Sequence, residues 1–158
     1  MKLTIEKLND THLSDLWYIL KEHDDYFSDR LKKEVGSLNT FKNYFAEMKG
    51  LVGKIGDDLI ICAYISYIHD GFGEINIFTK RKSITHDELI QVIKDNIGYF
   101  FEEFKLKMIY AITRLDNKAC IRLMRDVGLK ATTFLKDYEI VNGNGVDCVM
   151  SVMLKGEA

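Results

Sequence analysis

Two stretches of this sequence put reactive residue types where chemistry is commonly done. In "LDNKACIRLMRDVGLK", residues 115–130, a helical pattern starts on Asp116 and Asn117 directly behind a strand-like run. It places Cys120, Leu123, Met124 and Val127 on one stripe and stops at Gly128. An Asn in that place has two uses. Its side-chain oxygen can cap the helix, or the side chain can face a cleft at the strand's end. In "TKRKSITHDEL", residues 79–89, Lys80, Arg81 and Lys82 lie just before a helix start that carries Ser83 and Thr85. Cations at a helix N-terminus suit a phosphate, while Asp87 and Glu88 in the first turn satisfy the dipole from within. A solvated loop carries the same basic residues, so both readings of this stretch stand.

The other reactive side chains are scattered. Cys62, Cys120 and Cys148 are far apart and inside apolar segments, which predicts buried, reduced thiols. With His12, His23, His69 and His86 they show no metal-ligand spacing, and no metal is expected. No P-loop, G-x-G-x-x-G, H-E-x-x-H or G-x-S-x-G occurs. A net charge of −2, with acids and bases interspersed, predicts neither a nucleic-acid nor a membrane partner. At 158 residues, 47% apolar and 29% charged, the chain reads as one globular domain over residues 1–158. No uncharged run approaches a bilayer span and no signal-peptide core is visible, so a cytoplasmic location is expected.

The elements that must position these residues follow from periodicity. "KLTIEKL" reads as a short strand. Behind the capping candidates Asn9, Asp10 and Thr11, residues Leu13, Leu16, Trp17 and Leu20 predict a first helix. Residues 24–36 are charged and weakly periodic, a loop with a helical turn. Phe41, Tyr44, Phe45 and Met48 predict a second helix. Three strands come next: "LVGKI", then "LIICAYISYI", apolar on both faces and so expected in the sheet's interior, then "EINIF" after the turn "HDGFG". The clearest helix covers residues 85–104, with Leu89, Ile93, Ile97, Phe100 and Phe104 as its buried stripe and a Thr85/Glu88 capping box. "MIYAIT" is a short buried strand, and "TTFLKDYEIV" and "VDCVMSVML" form a hairpin about "NGNG". The order is β-α-α-β-β-β-α-β-α-β-β.

That order, with the Asn-to-Gly segment "NKACIRLMRDVGL" behind the fifth strand and "NGNGVDCVMSVML" at the end, resembles the GCN5-related N-acetyltransferase (GNAT) superfamily over nearly the whole chain. The resemblance implies an α/β (α+β) fold: a mixed, mostly antiparallel seven-stranded sheet flanked by about four helices. It implies that the fourth and fifth strands splay to admit the pantetheine arm of acetyl-CoA, which the backbone of Ile77, Phe78 and Thr79 would hold. Asn117 would orient the arm or the substrate. Lys80, Arg81 and Lys82, with Ser83 and Thr85, would meet the phosphates, although the family's glycine-rich loop is missing here. Met124 stands where many members carry a Tyr that protonates the departing thiolate. Glu74 occupies a position where several members keep a catalytic base, with Tyr64, Tyr67 and His69 on the adjacent strand as further acceptor-side candidates. The implied activity is acetyl transfer from acetyl-CoA to a primary amine of a small molecule or peptide. The competing expectation is a non-catalytic GNAT-like binding or assembly module with protein partners, of the kind found among bacteriophage structural proteins and so located in a virion.

Overall fold

The chain forms strands β1 (Thr4–Lys7), β2 (Lys49–Ile55), β3 (Asp58–His69), β4 (Phe72–Thr79), β5 (Met108–Arg114), β6 (Lys130–Val141) and β7 (Asn144–Leu154). The α-helices are α1 (Leu13–Lys21), α2 (Asp29–Glu34), α3 (Leu38–Phe45), α4 (His86–Glu103) and α5 (Lys118–Val127). The structure, a computed structural model, describes residues 2–80 and 83–158 apart from the side chain of Tyr26. The strands form one seven-stranded sheet in the order β1-β2-β3-β4-β5-β7-β6. Every neighbouring pair is antiparallel except β4 and β5. This is the mixed, mostly antiparallel sheet expected, with β3 in its interior.

Each face of the sheet carries its own apolar core. On one face α4 and α5 bury Ile93, Ile97, Phe100, Met124 and Val127 against Ile61, Ile75, Ile109 and Met153. On the other, α1 and α3 bury Leu16, Leu20, Phe41 and Phe45 against Val52, Cys62 and Tyr64. Strand alternation sorts the residues: Ile75 and Ile77 belong to the first core and Phe78 to the second.

Helix boundaries follow local chemistry. Thr85 and Glu88 form the expected capping box at α4. Of its predicted stripe, Ile93, Ile97 and Phe100 are buried together with Phe101, while Leu89 and Phe104 are half-buried. Helix α5 ends at Gly128, whose φ of 113° lets the Gly128 and Leu129 N–H groups turn back to Arg125 and Met124 carbonyls. Asn9 caps a short 3-10 turn, Asp10–His12, from which α1 continues.

The departure from expectation is α2, a fifth α-helix in the stretch read as a loop. Its six residues include no fully buried one, so it has no internal stripe to detect. Its flanks hold it instead: Phe27 and Val35 are buried on either side, and Trp17 Nε1 donates to the Val35 carbonyl at 3.0 Å.

Candidate functional site

The parallel contact between β4 and β5 is short. Phe72, Gly73 and Glu74 pair with Met108, Ile109 and Tyr110; beyond this β4 runs on to Thr79 and β5 to Arg114 without pairing with each other. The Lys80 N–H donates to Ile60 O at 2.7 Å. Main-chain groups alternate sides along a strand, so Phe78 and Asn76 also turn theirs to β3. Ile75, Ile77 and Thr79 turn theirs into the gap. One acceptor there is already used, because His23 Nε2 donates to the Thr79 carbonyl at 2.7 Å.

The gap opens into a cavity of about 690 Å³ bordered by Ile77, Phe78 and Thr79 on β4, Ala111 and Thr113 on β5, and Asn117, Cys120 and Met124 on α5. Asn117 is the N-cap residue of α5, and its Oδ1 accepts from Cys120 N at 3.2 Å. Its side chain is half-buried and borders the cavity, so it is both a cap and part of the cleft wall. Met124 is buried on the same wall.

The expected phosphate residues are arranged differently from one another. Thr85 closes the α4 N-terminus: the Glu88 carboxylate accepts from Thr85 N at 3.0 Å and from Thr85 Oγ1 at 2.7 Å. These bonds hold Glu88 below the usual carboxylate range, so an internal carboxylate sits at the helix start. Lys80 pairs its ammonium with Asp58 at 3.5 Å, and Ser83 N–H donates to the Lys80 carbonyl at 3.4 Å. Lys80, Ser83 and Thr85 do not border the cavity. Arg81 and Lys82 lie outside the described residues. His86 does border it, and its Nε2 meets Asp126 Oδ2 at 2.9 Å, linking α4 to α5.

Glu74 lies in a second, adjoining cavity of about 360 Å³ on the sheet face that carries α2 and α3. Asn76 and Leu31 border both cavities, which makes them the junction. Burial first, and the charge of Glu139 second, push the Glu74 carboxyl up to about 7 against the opposing Arg30 guanidinium. Asn76 Nδ2 donates to Ser66 Oγ at 3.0 Å. Of the three acceptor-side candidates on β3, Tyr67 borders this cavity. Tyr64 is buried and stacked on Phe78 (centroids 5.9 Å, 15°), and His69 is exposed at the end of β3, bonded to the Tyr67 carbonyl. Tyr67 has a φ of 52° at an irregularity in the β3–β4 register, and its hydroxyl accepts from Arg30 Nη2 at 2.8 Å.

Sequence reasoning missed the α2 and β6 walls of this second cavity. Arg30, Leu31 and Glu34 come from α2; Tyr138, Glu139 and Ile140 come from β6. The β6–β7 register shifts between Leu135 and Glu139. In that bulge Asp137 has a φ of 50°, and its N–H donates to Asp147 Oδ1 at 2.9 Å. The apolar flanks Phe27 and Val35 were the available signal that the α2 stretch packs; the bulge had none. Among the described residues, no three His, Cys, Asp or Glu side chains gather as a metal site, and no helix is long and apolar enough to cross a membrane.

No protein-family model matches the chain, and no curated protein matches it significantly. Solved structures do. A ribosomal-protein-alanine N-acetyltransferase from Brucella melitensis aligns with a TM-score of 0.81 at 14% identity, over 96% of this chain and 99% of that one. A spermidine N-acetyltransferase from Vibrio cholerae, in complex with CoA and spermine, aligns at 0.76 and 17% over 98% and 96%. A GNAT-family acetyltransferase from Bacillus anthracis aligns at 0.77 and 15% over 99% and 96%. At such identities the likeness speaks for the fold, and together with the parting of β4 and β5 it is unambiguous: the fold of this chain is that of the GNAT acetyltransferases.

Proposed function

We propose that the chain is an acyl-CoA-dependent N-acyltransferase, most simply one that moves an acetyl group from acetyl-CoA to a primary amine. The observation that carries this reading is the junction of two cavities. One is bordered by the unpaired edge of β4 and by Asn117; the other holds a carboxylate pushed up to about 7. A solved structure of the same fold with CoA and spermine bound adds support.

The fit to the cofactor arm rests on the chain's own groups. Ile77 and Thr79 present main-chain N–H groups to the gap, Ala111, Leu123 and Met124 supply apolar wall, and Asn117 adds a side-chain amide whose Oδ1 is engaged by the helix. Phosphate contacts fall to Arg81 and Lys82 beside Lys80 and Ser83. When bound, acetyl-CoA supplies a thioester carbonyl as acyl donor. Transfer needs a neutral amine, and Glu74, half-ionised near neutrality, takes the ammonium proton directly or through water. Asn76 and Ser66, hydrogen-bonded to each other beside it, orient the acceptor. Met124 has no proton to give a leaving thiolate, so solvent provides it.

A second reading, a non-catalytic binding or assembly module, is favoured by the Glu88 carboxylate at the α4 N-terminus and the Lys80–Asp58 pair, both of which oppose an incoming phosphate. Titration calorimetry and thermal shift with acetyl-CoA separate the two. A ligand at 100 times its Kd stabilises the fold by about 2.7 kcal/mol, and CoA release should follow addition of a primary amine. No binding at millimolar acetyl-CoA overturns the enzymatic reading in favour of the second.

A further inference from the structure

The acceptor cavity is built from two walls that no sheet pairing joins. One is α2 with Arg30, Leu31 and Glu34; the other is the outer part of β6 with Tyr138, Glu139 and Ile140. Both walls are weakly supported. Six residues are too few for a self-sustaining helix, and β6 is the outermost strand of the sheet.

One side chain spans them. Asn142 and Gly143 form the two-residue tip of the β6–β7 hairpin, with φ of 50° and 79°, between the paired residues Val141 and Asn144. Positive φ at both central positions is the type I′ arrangement, which turns both N–H groups outward as a small anion-binding concavity. Asp29, in the first turn of α2, fills it: Asn142 N donates to Oδ1 at 2.7 Å and Gly143 N to Oδ2 at 2.9 Å. The bond is charge-assisted, uses both carboxylate oxygens, and joins residues 113 and 114 positions apart. The Gly143 and Asn142 amides hold the Asp29 carboxyl below the usual range, so it is ionised at neutral pH.

We propose that Asp29 is a positioning residue for the acceptor, a clasp that fixes the width of the cavity by tying α2 to the hairpin tip. It touches neither the cleft that would take the cofactor arm nor Glu74. Of α2, the cleft that would take the cofactor arm meets only Leu31, so the effect of Asp29 falls chiefly on the acceptor. The kinetic consequence rests on the acyl-transfer reading; the clasp itself does not.

The test uses the full chain with Asp29→Ala and, as a variant of nearly the same shape that keeps one accepting oxygen, Asp29→Asn. Two measurements are made: hydrogen exchange at the Asn142 and Gly143 amides, and steady-state transfer to n-butylamine and 1,4-diaminobutane. Asp29→Ala should speed exchange at both amides at least tenfold and raise the amine KM about fivefold or more, while kcat and the acetyl-CoA KM stay within twofold. Asp29→Asn should fall between the parent and Asp29→Ala. Unchanged exchange, or faster exchange with an unchanged amine KM, overturns the proposal. If the parent transfers to neither amine, acyl transfer to simple amines falls, and the exchange comparison still decides whether Asp29 holds the walls together.

Discussion

At the scale of single residues, Glu74 and Asn117 separate catalysis from architecture. The Glu74 carboxyl lies near 7 against an ordinary 4.5, so its ionised fraction, and transfer with it, should rise as pH passes through about 7. Glu74→Gln should lower the rate by about a hundredfold or more and erase that limb of the pH profile. Glu139→Gln removes a neighbouring negative charge and should move the limb to lower pH, with the rate above it little changed. Stability runs the other way. A carboxyl with a raised folded-state value contributes stability that is fully present below about 4.5 and lost as pH rises through about 7. Denaturation at pH 5 and pH 8 should show that Glu74→Gln removes this part of the pH dependence. Asn117→Asp keeps the oxygen that accepts from Cys120 N and loses the amide donor. Its melting temperature should match the parent's, while transfer slows tenfold or more, equivalent to about 1.4 kcal/mol of transition-state stabilisation. A parent-like rate would place Asn117 outside the chemistry.

At the scale of elements, α4 tests the packing. Phe100 is fully buried between the helix and the sheet, and Phe100→Ala should cost roughly 3–5 kcal/mol in urea denaturation. Gly98 lies in the same helix, where an added Cβ would meet nothing within 4 Å. Close packing is therefore not its purpose, and Gly98→Ala should stabilise by up to about 1 kcal/mol through helix propensity alone. Elements with strong internal patterns were legible in the sequence: the α4 stripe, the Asn-Gly hairpin tip, and the alternation that sets Glu74, Asn76 and Phe78 on one face. Asn117 was legible as a cap, and its Oδ1 accepts from Cys120 N; only a resemblance suggested a cleft role, and the residue borders the larger cavity. What was not legible depends on contacts between distant segments. Helix α2 draws its order from flanking anchors and from Asp29 across the cavity, and Glu139 reaches the cavity through a bulge that a strand's alternation conceals. His23 on the Thr79 carbonyl and Glu88 on the α4 N-terminus likewise belong to the folded arrangement.

At the scale of the whole molecule, the sheet is shared with acetyltransferases at 14–17% identity, because its shape depends on the pattern of buried residues more than on which apolar residues fill it. The splay needs β4 and β5 to part after three pairs, a matter of apolar packing against α4 and α5 that many sequences satisfy. The bulge in β6 has an effect beyond the cavity. Strand β6 is twelve residues long, lies at the sheet's rim, and exposes Phe134, Tyr138 and Ile140. A flat rim of that length is a template on which another chain can add itself as a strand. Three residues, Lys136, Asp137 and Tyr138, oppose Asp147 alone between the Leu135–Cys148 and Glu139–Val146 pairs, so the rim is broken midway. Deleting Lys136 and Asp137 together would restore a continuous ladder from Thr133 to Val141, with Glu139 still opposite Val146. Light scattering should then show association that grows with protein concentration beyond the parent's, because the irregularity that supplies a carboxylate to the cavity also interrupts the edge on which another strand could add.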